Sequence, residues 1–462
     1  MSVRRGRSFQ LAAQVRPGRR GGLLAAAAAW LGLVIAAPLS AADEPGSAAR
    51  DFPFAEGDVV HHGDTDKLRP YLPEPFWAHR EYFFFPGMRL QVGPAFRDYS
   101  PPDVYQKATR EFAGSAELGP DGSLTSHRAG QPFPMSNIDC QRDPEAGVKI
   151  IWNFVHRWEG FGARASFQYT YWDRGEKRPI SYQGTTTAWL LKYRPEPHFE
   201  ENEGDVFPRE KRAVVVGFEV DEPAEARGTR TLTYRYNDSF GPVESAKPED
   251  TWIYSREVRR VRKITQSQRA SAVAGTDFSF DDLFSFSGLP AQYRWRCLEE
   301  RTVFAPMNTR VKGYPYEGQP DYGPSGLSFA NDRWELRDAV IVEMIPRDEE
   351  HPYSKKVIWL DRQTLEPLYS FAYDRAGALW KILYHNHRWS EDDLGDVAAR
   401  DWYPGWDGVP EPRDLRTVSD AIVNVQTATG NRLDFYDSRG TQPNLRALRR
   451  YVDVRQLSRS LR

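Results

Sequence analysis

The apolar positions of this chain change period at Gly160. Before it, Gly147, Ile150, Ile151, Phe154, Val155 and Trp158 recur at helical spacing. They follow Asp143-Pro144-Glu145, where Asp suits a helix cap and Pro suits the first turn. The pattern predicts a helix with one broad apolar face, ended by Gly160. Such a face must lie on something equally apolar, and a sheet is the natural partner. After Gly160 the period is two. Phe167, Tyr169 and Tyr171 alternate with Gln168, Thr170 and Trp172. Residues 213–220 and 229–236 read as two more strands, and 339–345 as another. Residues 356–360, 365–373 and 378–389 read as a meander, with turns at 361–364 and 374–377. A late hairpin, 422–427 and 432–436, is expected around Gly430-Asn431. Helical composition recurs at 103–116 and in a basic segment, 444–454. Many antiparallel strands with a few helices predict an α+β protein. Its expected core is a large curved antiparallel sheet or open half-barrel, with helices covering the concave face.

The N-terminal 41 residues have a different character. Six arginines between Arg4 and Arg20 precede an apolar run of 16 residues, Gly22 to Ala37. Small residues follow at 40–42. This is the form of a signal peptide, and the run is short for a membrane span. No Cys follows it to carry a lipid. The expected mature protein begins at Ala42 or Asp43 and is periplasmic. Residues 42–102 are rich in Pro, Asp and aromatics and predict an irregular arm. Residues 103–462 are expected to form a single domain.

Charge then narrows the partners. The full chain carries 62 Lys and Arg against 64 Asp and Glu. Losing residues 1–41 removes six of the arginines, for a mature charge of about −8. Nucleic acid is therefore not an expected partner. Cys140 and Cys297 are the two cysteines. In an oxidising compartment they are expected to form a disulfide, the alternative being two separate buried thiols.

The motifs of common catalytic sites are absent. The chain has no G-x-S-x-G, no Walker loop, no H-E-x-x-H and no C-x-x-C. His385 and His387 share a strand face and, with Asp392 and Asp393, resemble a metal or acid–base set. The plainer expectation is a polar outer face. His61, His62, Asp64 and Asp66 read as a solvated turn. No catalytic residue, metal or cofactor is expected.

The most distinctive stretch is 250–290, DTWIYSREVRRVRKITQSQRASAVAGTDFSFDDLFSFSGLP. A basic hairpin leads to four phenylalanines within nine residues. One reading is a cationic rim, with Arg259, Arg260 and Arg262, beside an aromatic lid. Phe278, Phe280, Leu283, Phe284 and Phe286 then line the mouth of a ligand cavity. Ser279 or Asp281 would cap a short lid helix, with Asp282 in its first turn. The other reading is ordinary core packing.

A resemblance favours the first reading. W-x-Y, R-R-V-R-K-I and G-T-D-F-S-F-D-D-L, in this order, resemble the periplasmic lipoprotein-sorting proteins of the LolA/LolB kind. More closely, the chain is similar to the family called domain of unknown function 1329. VYQKATREFAGSAELGPDGSLTSHRAGQPFP (104–134), IIWNFVHRWEG (150–160) and LDRQTLEPLYSFAYDRAGALWKI (360–382) fit that family as well. The resemblance implies a LolA/LolB-like open barrel with helices at its mouth. It implies a carrier or chaperone, not an enzyme, for a hydrophobic small molecule, lipid or lipoprotein acyl chain. It also implies an RND-type inner-membrane transporter and an outer-membrane protein as partners. A different class of function fits the 14 Trp and 22 Tyr: a secreted β-rich protein that binds or cleaves polysaccharide.

Overall fold

The computed structural model describes residues 51–173, 180–242, 244–257, 259–264, 269–310, 322–392, 413–440 and 445–459. The expected signal segment, Val258 and Asp393 lie outside them. The strands are β1 (Val59–Val60), β2 (Leu90–Val92), β3 (Glu117–Leu118), β4 (Leu124–Thr125), β5 (Gly162–Asp173), β6 (Ile180–Leu190), β7 (Arg212–Glu222) and β8 (Arg230–Tyr236). They continue with β9 (Asp250–Ser255), β10 (Arg260–Ile264), β11 (Tyr293–Pro306), β12 (Arg333–Pro346), β13 (Tyr353–Asp361), β14 (Pro367–Asp374), β15 (Leu379–Trp389), β16 (Leu415–Asn424) and β17 (Thr429–Gly440). The α-helices are α1 (Glu74–Ala78), α2 (Asp103–Glu111), α3 (Ala146–Val155) and α4 (Leu445–Tyr451).

One open sheet of 15 strands carries the fold. Its order is β1-β2-β12-β13-β14-β15-β16-β17-β5-β6-β7-β8-β9-β10, with β11 also paired to β12. The late strands thus sit between the two early groups: β17 pairs with β5 over ten register positions. All pairings are antiparallel except β2 with β12. The expected α+β architecture, an open antiparallel sheet with helices on it, is the one observed.

The two faces are filled differently. On the inner face of β11–β14, the apolar side of α3 packs on large side chains. Ile150, Ile151 and Phe154 meet Tyr293, Trp295, Val340, Val342, Met344 and Ile358. On the outer face of the same strands lies the segment 51–102. It brings Phe76, Phe83, Phe84 and Leu90 against Phe304, Trp334, Tyr369 and Tyr384. Phe76 stacks on Phe83 with centroids 4.0 Å apart. This segment contributes two strands, the helix α1 and a large share of the core. At the other end of the sheet, α4 covers the outer face through Leu448 and Val452 against Val215, Leu232 and Tyr234.

Three details differ from the sequence expectation. β6 and β11 were not foreseen. Thr185, Thr186 and Thr187 and Gly184 blur the apolar rhythm of β6, and the arginines and glutamates of β11 hide its strand character. The late hairpin turns at 425–428, with Ala428 at φ 58°, so Gly430-Asn431 lies within β17. His385 and His387 do share a face, but it is the inner one. Both are fully buried, because α3 and the aromatic segment cover this part of the sheet.

Cys140 and Cys297 are joined by a disulfide, with Cα atoms 5.2 Å apart. It ties the chain ahead of α3 to β11. The loop closed spans 157 residues, so the cross-link should stabilise the fold by about 5 kcal/mol on the chain-entropy account. Thiol labelling of denatured, unreduced protein should find no free thiol. Mild reduction should lower the unfolding midpoint, and an unchanged midpoint would contradict the role given to this bond.

Candidate functional site

The cavity arises where the sheet stops presenting large side chains. Along the inner face of β5–β8 the side chains are Ala163, Ala165, Thr186, Ala188, Val214, Val216, Thr231 and Thr233. These are too small to fill the space that Trp and Tyr fill over β11. The unfilled volume is about 290 Å³. The C-terminal end of α3 closes one side with Phe154, Val155 and Trp158. The segment 280–288 closes another with Phe280, Leu283, Phe284, Phe286, Ser287 and Gly288. Thr417 of β16 and Phe435 of β17 complete the floor. A second cavity of about 240 Å³ lies on the far side of Tyr105, Arg157 and Trp158, which line both.

The aromatic segment is not the expected capped helix. It forms 3₁₀ turns over Phe280–Ser285, broken at Leu283 and Phe284, and Ser279 caps nothing with its side chain. Phe284 and Ser285 both have left-handed φ, 51° and 65°. Non-glycine residues hold such values only when their surroundings enforce them. The enforcement here is polar. Asp282, expected in the first turn of a helix, is instead fully buried under the segment. Its carboxylate accepts from Lys356 Nζ at 2.7 Å, Lys381 Nζ at 3.1 Å, the Tyr353 hydroxyl at 2.8 Å and the Ser279 hydroxyl at 2.9 Å. Lys356 also donates to the carbonyl of Ser285 at 2.9 Å. Burial opposes ionisation of Asp282, but Lys356 and Lys381 outweigh it and hold the carboxyl well below the usual range. The Ser285 hydroxyl meets His385 Nε2 at 2.6 Å and Ser370 Oγ at 3.0 Å. Arg269 ties the same segment to Asp281 at 3.0 Å and to the Ser287 carbonyl at 2.6 Å.

The expected site residues separate into three groups. Phe280, Leu283, Phe284 and Phe286 face the cavity. Phe286 also packs on Trp295, centroids 5.0 Å apart, and so links cavity and core. Phe278 lies beneath them, buried against Tyr169 at 5.7 Å. Arg259, Arg260 and Arg262 are exposed. Arg259 sits in the turn before β10 with φ 48°. Arg260 and Arg262 alternate with Val261 and Lys263, so they share the sheet face of Ile264, which lines the cavity. Among the described residues no carboxylate pairs with either. Asp392 is held by Arg97 at 2.9 Å and lies away from His385.

Residues not foreseen are the small inner-face positions, the Asp282 cluster and the cavity wall at Arg157. Arg157 donates to Glu366 at 2.7 Å. Burial pushes Glu366 up to about 7, with Arg157 opposing the shift. A strand of Ala and Thr at alternate positions was the available signal for the cavity. Nothing local marks Asp282, whose partners come from strands more than 70 residues away.

Replacing Asp282 by Ala should cost about 3–5 kcal/mol, because two buried ammonium groups lose their carboxylate. The folded-state pKa of Asp282 is depressed, so its contribution is present above about pH 4 and is lost as pH falls below that. Denaturant unfolding at pH 7 and pH 3 checks both statements. A wild-type to D282A difference that does not shrink at pH 3 would contradict the assignment.

An uncharacterized protein of Pseudomonas aeruginosa, PA3922, is 23% identical over 373 residues, which is 74% of this chain and 77% of that protein. Among solved structures, a DUF1329 family protein from Desulfovibrio piger is 15% identical with a TM-score of 0.44, over 68% of this chain and 99% of its own. A domain from Vibrio parahaemolyticus, named for outer membrane lipoprotein sorting, is 20% identical with a TM-score of 0.43, over 69% of this chain and all of its own. A LolA superfamily protein from Nitrosomonas europaea is 12% identical with a TM-score of 0.34, over 62% of this chain and 89% of its own. Residues 64–431 match the family described as protein of unknown function, DUF1329. The match spans most of the sequence and includes the cavity strands, the aromatic segment and both halves of the sheet, so this chain belongs to the DUF1329 family.

Proposed function

We propose that this protein is a periplasmic carrier that holds the apolar part of an amphiphile between the inner face of β5–β8 and the segment 280–288. The observation that carries the reading is the row of Ala, Val and Thr side chains facing four aromatic or aliphatic ones across unfilled space. About 290 Å³ is near the lower end of small-molecule pockets, roughly 300–1,000 Å³. Each methylene buried there contributes about 0.8 kcal/mol before ordering costs. A carrier needs a wall that moves, and segment 280–288 is held by discrete polar contacts beside an apolar surface.

The exposed Arg260 and Arg262 support an anionic headgroup, since they lie on the cavity side of β10 and no carboxylate among the described residues pairs with them. A lipid or an acylated protein fits this description, and the transporter and outer-membrane protein implied by the family resemblance fit as donor and acceptor. The Ala, Val and Phe side chains of the wall favour an acyl chain, although Arg157, Arg235 and Arg269 also line the cavity.

A fluorescent fatty acid should bind the mature protein and be displaced by unlabelled fatty acid. Phe284→Asp should weaken that binding at least roughly tenfold, since it places a charge against the acyl chain. Its stability cost should stay below the roughly 3–5 kcal/mol of a core Phe truncation, because Phe284 is half-buried. Arg260→Glu with Arg262→Glu should weaken the fatty acid but not a neutral monoacylglycerol. Unchanged binding in a folded Phe284→Asp protein would place the ligand elsewhere.

A further inference from the structure

We propose that Ser285, His385 and Asp420 form an acyl-transfer triad beneath the aromatic segment, with Ser285 as nucleophile toward an acyl ester whose chain occupies the cavity. The inference rests on the carrier reading for the class of substrate, but not for the chemistry.

Three strands and one loop bring the groups together. Ser285 Oγ lies 2.6 Å from His385 Nε2 on β15, and His385 Nδ1 lies 2.6 Å from Asp420 Oδ1 on β16. Asp420 can only accept, so Nδ1 carries the imidazole proton and Nε2 is left as a base. The Ser285 proton then points at Nε2. Ser370 Oγ, at 3.0 Å, is a second acceptor within reach of that proton. This is the tautomer and polarity that activates a serine. Asp420 Oδ2 has no hydrogen-bond partner among the described residues, which leaves the carboxylate able to stabilise an imidazolium.

The backbone adds a second, independent observation. Ser285 sits at φ 65° directly after Phe284 at 51°, a sharp turn of the kind that projects a nucleophile. The amide of Phe286, the next residue, has no hydrogen-bond acceptor among the described residues. Unpaired amides at buried positions are rare. An amide immediately after a nucleophilic serine is one of the two usual donors to a developing oxyanion. Phe284, Phe286, Ser287 and Gly288 line the cavity around it. The flanks are Phe and Phe where a G-x-S-x-G turn has small residues nearby, so the motif is invisible in the sequence. Ser285 itself is fully buried. Phe284, half-buried and held in a strained conformation, is the ring that must swing aside.

The reaction balances without a cofactor. Ser285 Oγ bonds to the ester carbonyl carbon while its proton passes to His385 Nε2. The ester C–O bond breaks, and the alcohol leaves with that proton. Water then attacks the acyl-serine with His385 as base, the carboxylic acid departs, and the proton returns to Ser285. One ester and one water give one acid and one alcohol.

A long-chain fluorophosphonate, which forms a stable adduct with an activated serine, is the probe. Wild-type mature protein should gain one adduct per chain, mapped by peptide mass spectrometry to Ser285. His385→Gln should slow labelling by at least about 100-fold, while Phe284→Ala should speed it by opening the path. Ser285→Ala should lose the adduct and still bind the fluorescent fatty acid. Mapping in the wild type decides the matter even if a substitution at 285 fails to fold. If neither wild type nor folded Phe284→Ala is labelled at Ser285, while both bind the fatty acid, the triad is a structural hydrogen-bond chain and the carrier reading stands alone. If no fatty acid binds but Ser285 is labelled, the chemistry stands and the carrier reading falls.

Discussion

The buried carboxylate of Asp282 is the constraint on which the site depends. Two ammonium groups, a phenol and a serine hydroxyl converge on it with no access to water. Removing charges from water costs several kcal/mol each, so the cluster is weak evidence for added stability. Its effect is on specificity. Lys356 and Lys381 project from β13 and β15 onto the inner face, close to Ser370 and His385. Lys356 finds its partners, the Asp282 carboxylate and the Ser285 carbonyl, within segment 280–288, and Lys381 shares that carboxylate. A purely apolar contact between the same segment and the same sheet would tolerate sliding, because hydrophobic contacts are not directional. The left-handed backbone at Phe284 and Ser285 follows from this pinning, since the chain must dip to place Asp282 below and the Phe rings beside the cavity.

A division of labour along one sheet follows from side-chain size. Where the inner face carries Trp295, Tyr293 and Met344, α3 fills the groove and the result is core. Where it carries Ala, Val and Thr, the same groove stays open. The outer face shows no such change, being packed by segment 51–102 at one end and by α4 at the other. The sheet is thus rigid from behind and hollow in front over β5–β8. The disulfide to β11 fixes the approach to α3, whose C-terminal end forms one cavity wall.

The sequence revealed the fold better than the site. Period-two alternation located β5, β7, β8 and the β13–β15 meander, and the Asp-Pro-Glu start located α3, because these signals are local. β6 and β11 escaped because threonines and charges obscure the apolar rhythm that pairing restores. Four Phe in nine residues marked segment 278–286, yet their spacing suggested a capped helix. Asp282 overrides that local preference through partners over 70 residues away in the chain. His385 looked solvent-facing because a polar residue on a strand usually is. Its burial depends on the aromatic segment lying over it, a contact 100 residues apart in sequence. Polar groups that meet only in three dimensions leave no periodic trace.

On the carrier reading, the open space over β5–β8 binds an apolar chain. Photo-crosslinking with a diazirine fatty acid, followed by peptide mapping, tests it most directly. Adducts should concentrate on the peptides that carry Ala163 to Ala165, Thr186 to Leu190, Val214 to Phe218 and Phe280 to Phe286, and excess unlabelled fatty acid should suppress them. Adducts spread over the outer face, or insensitive to competitor, would contradict the account.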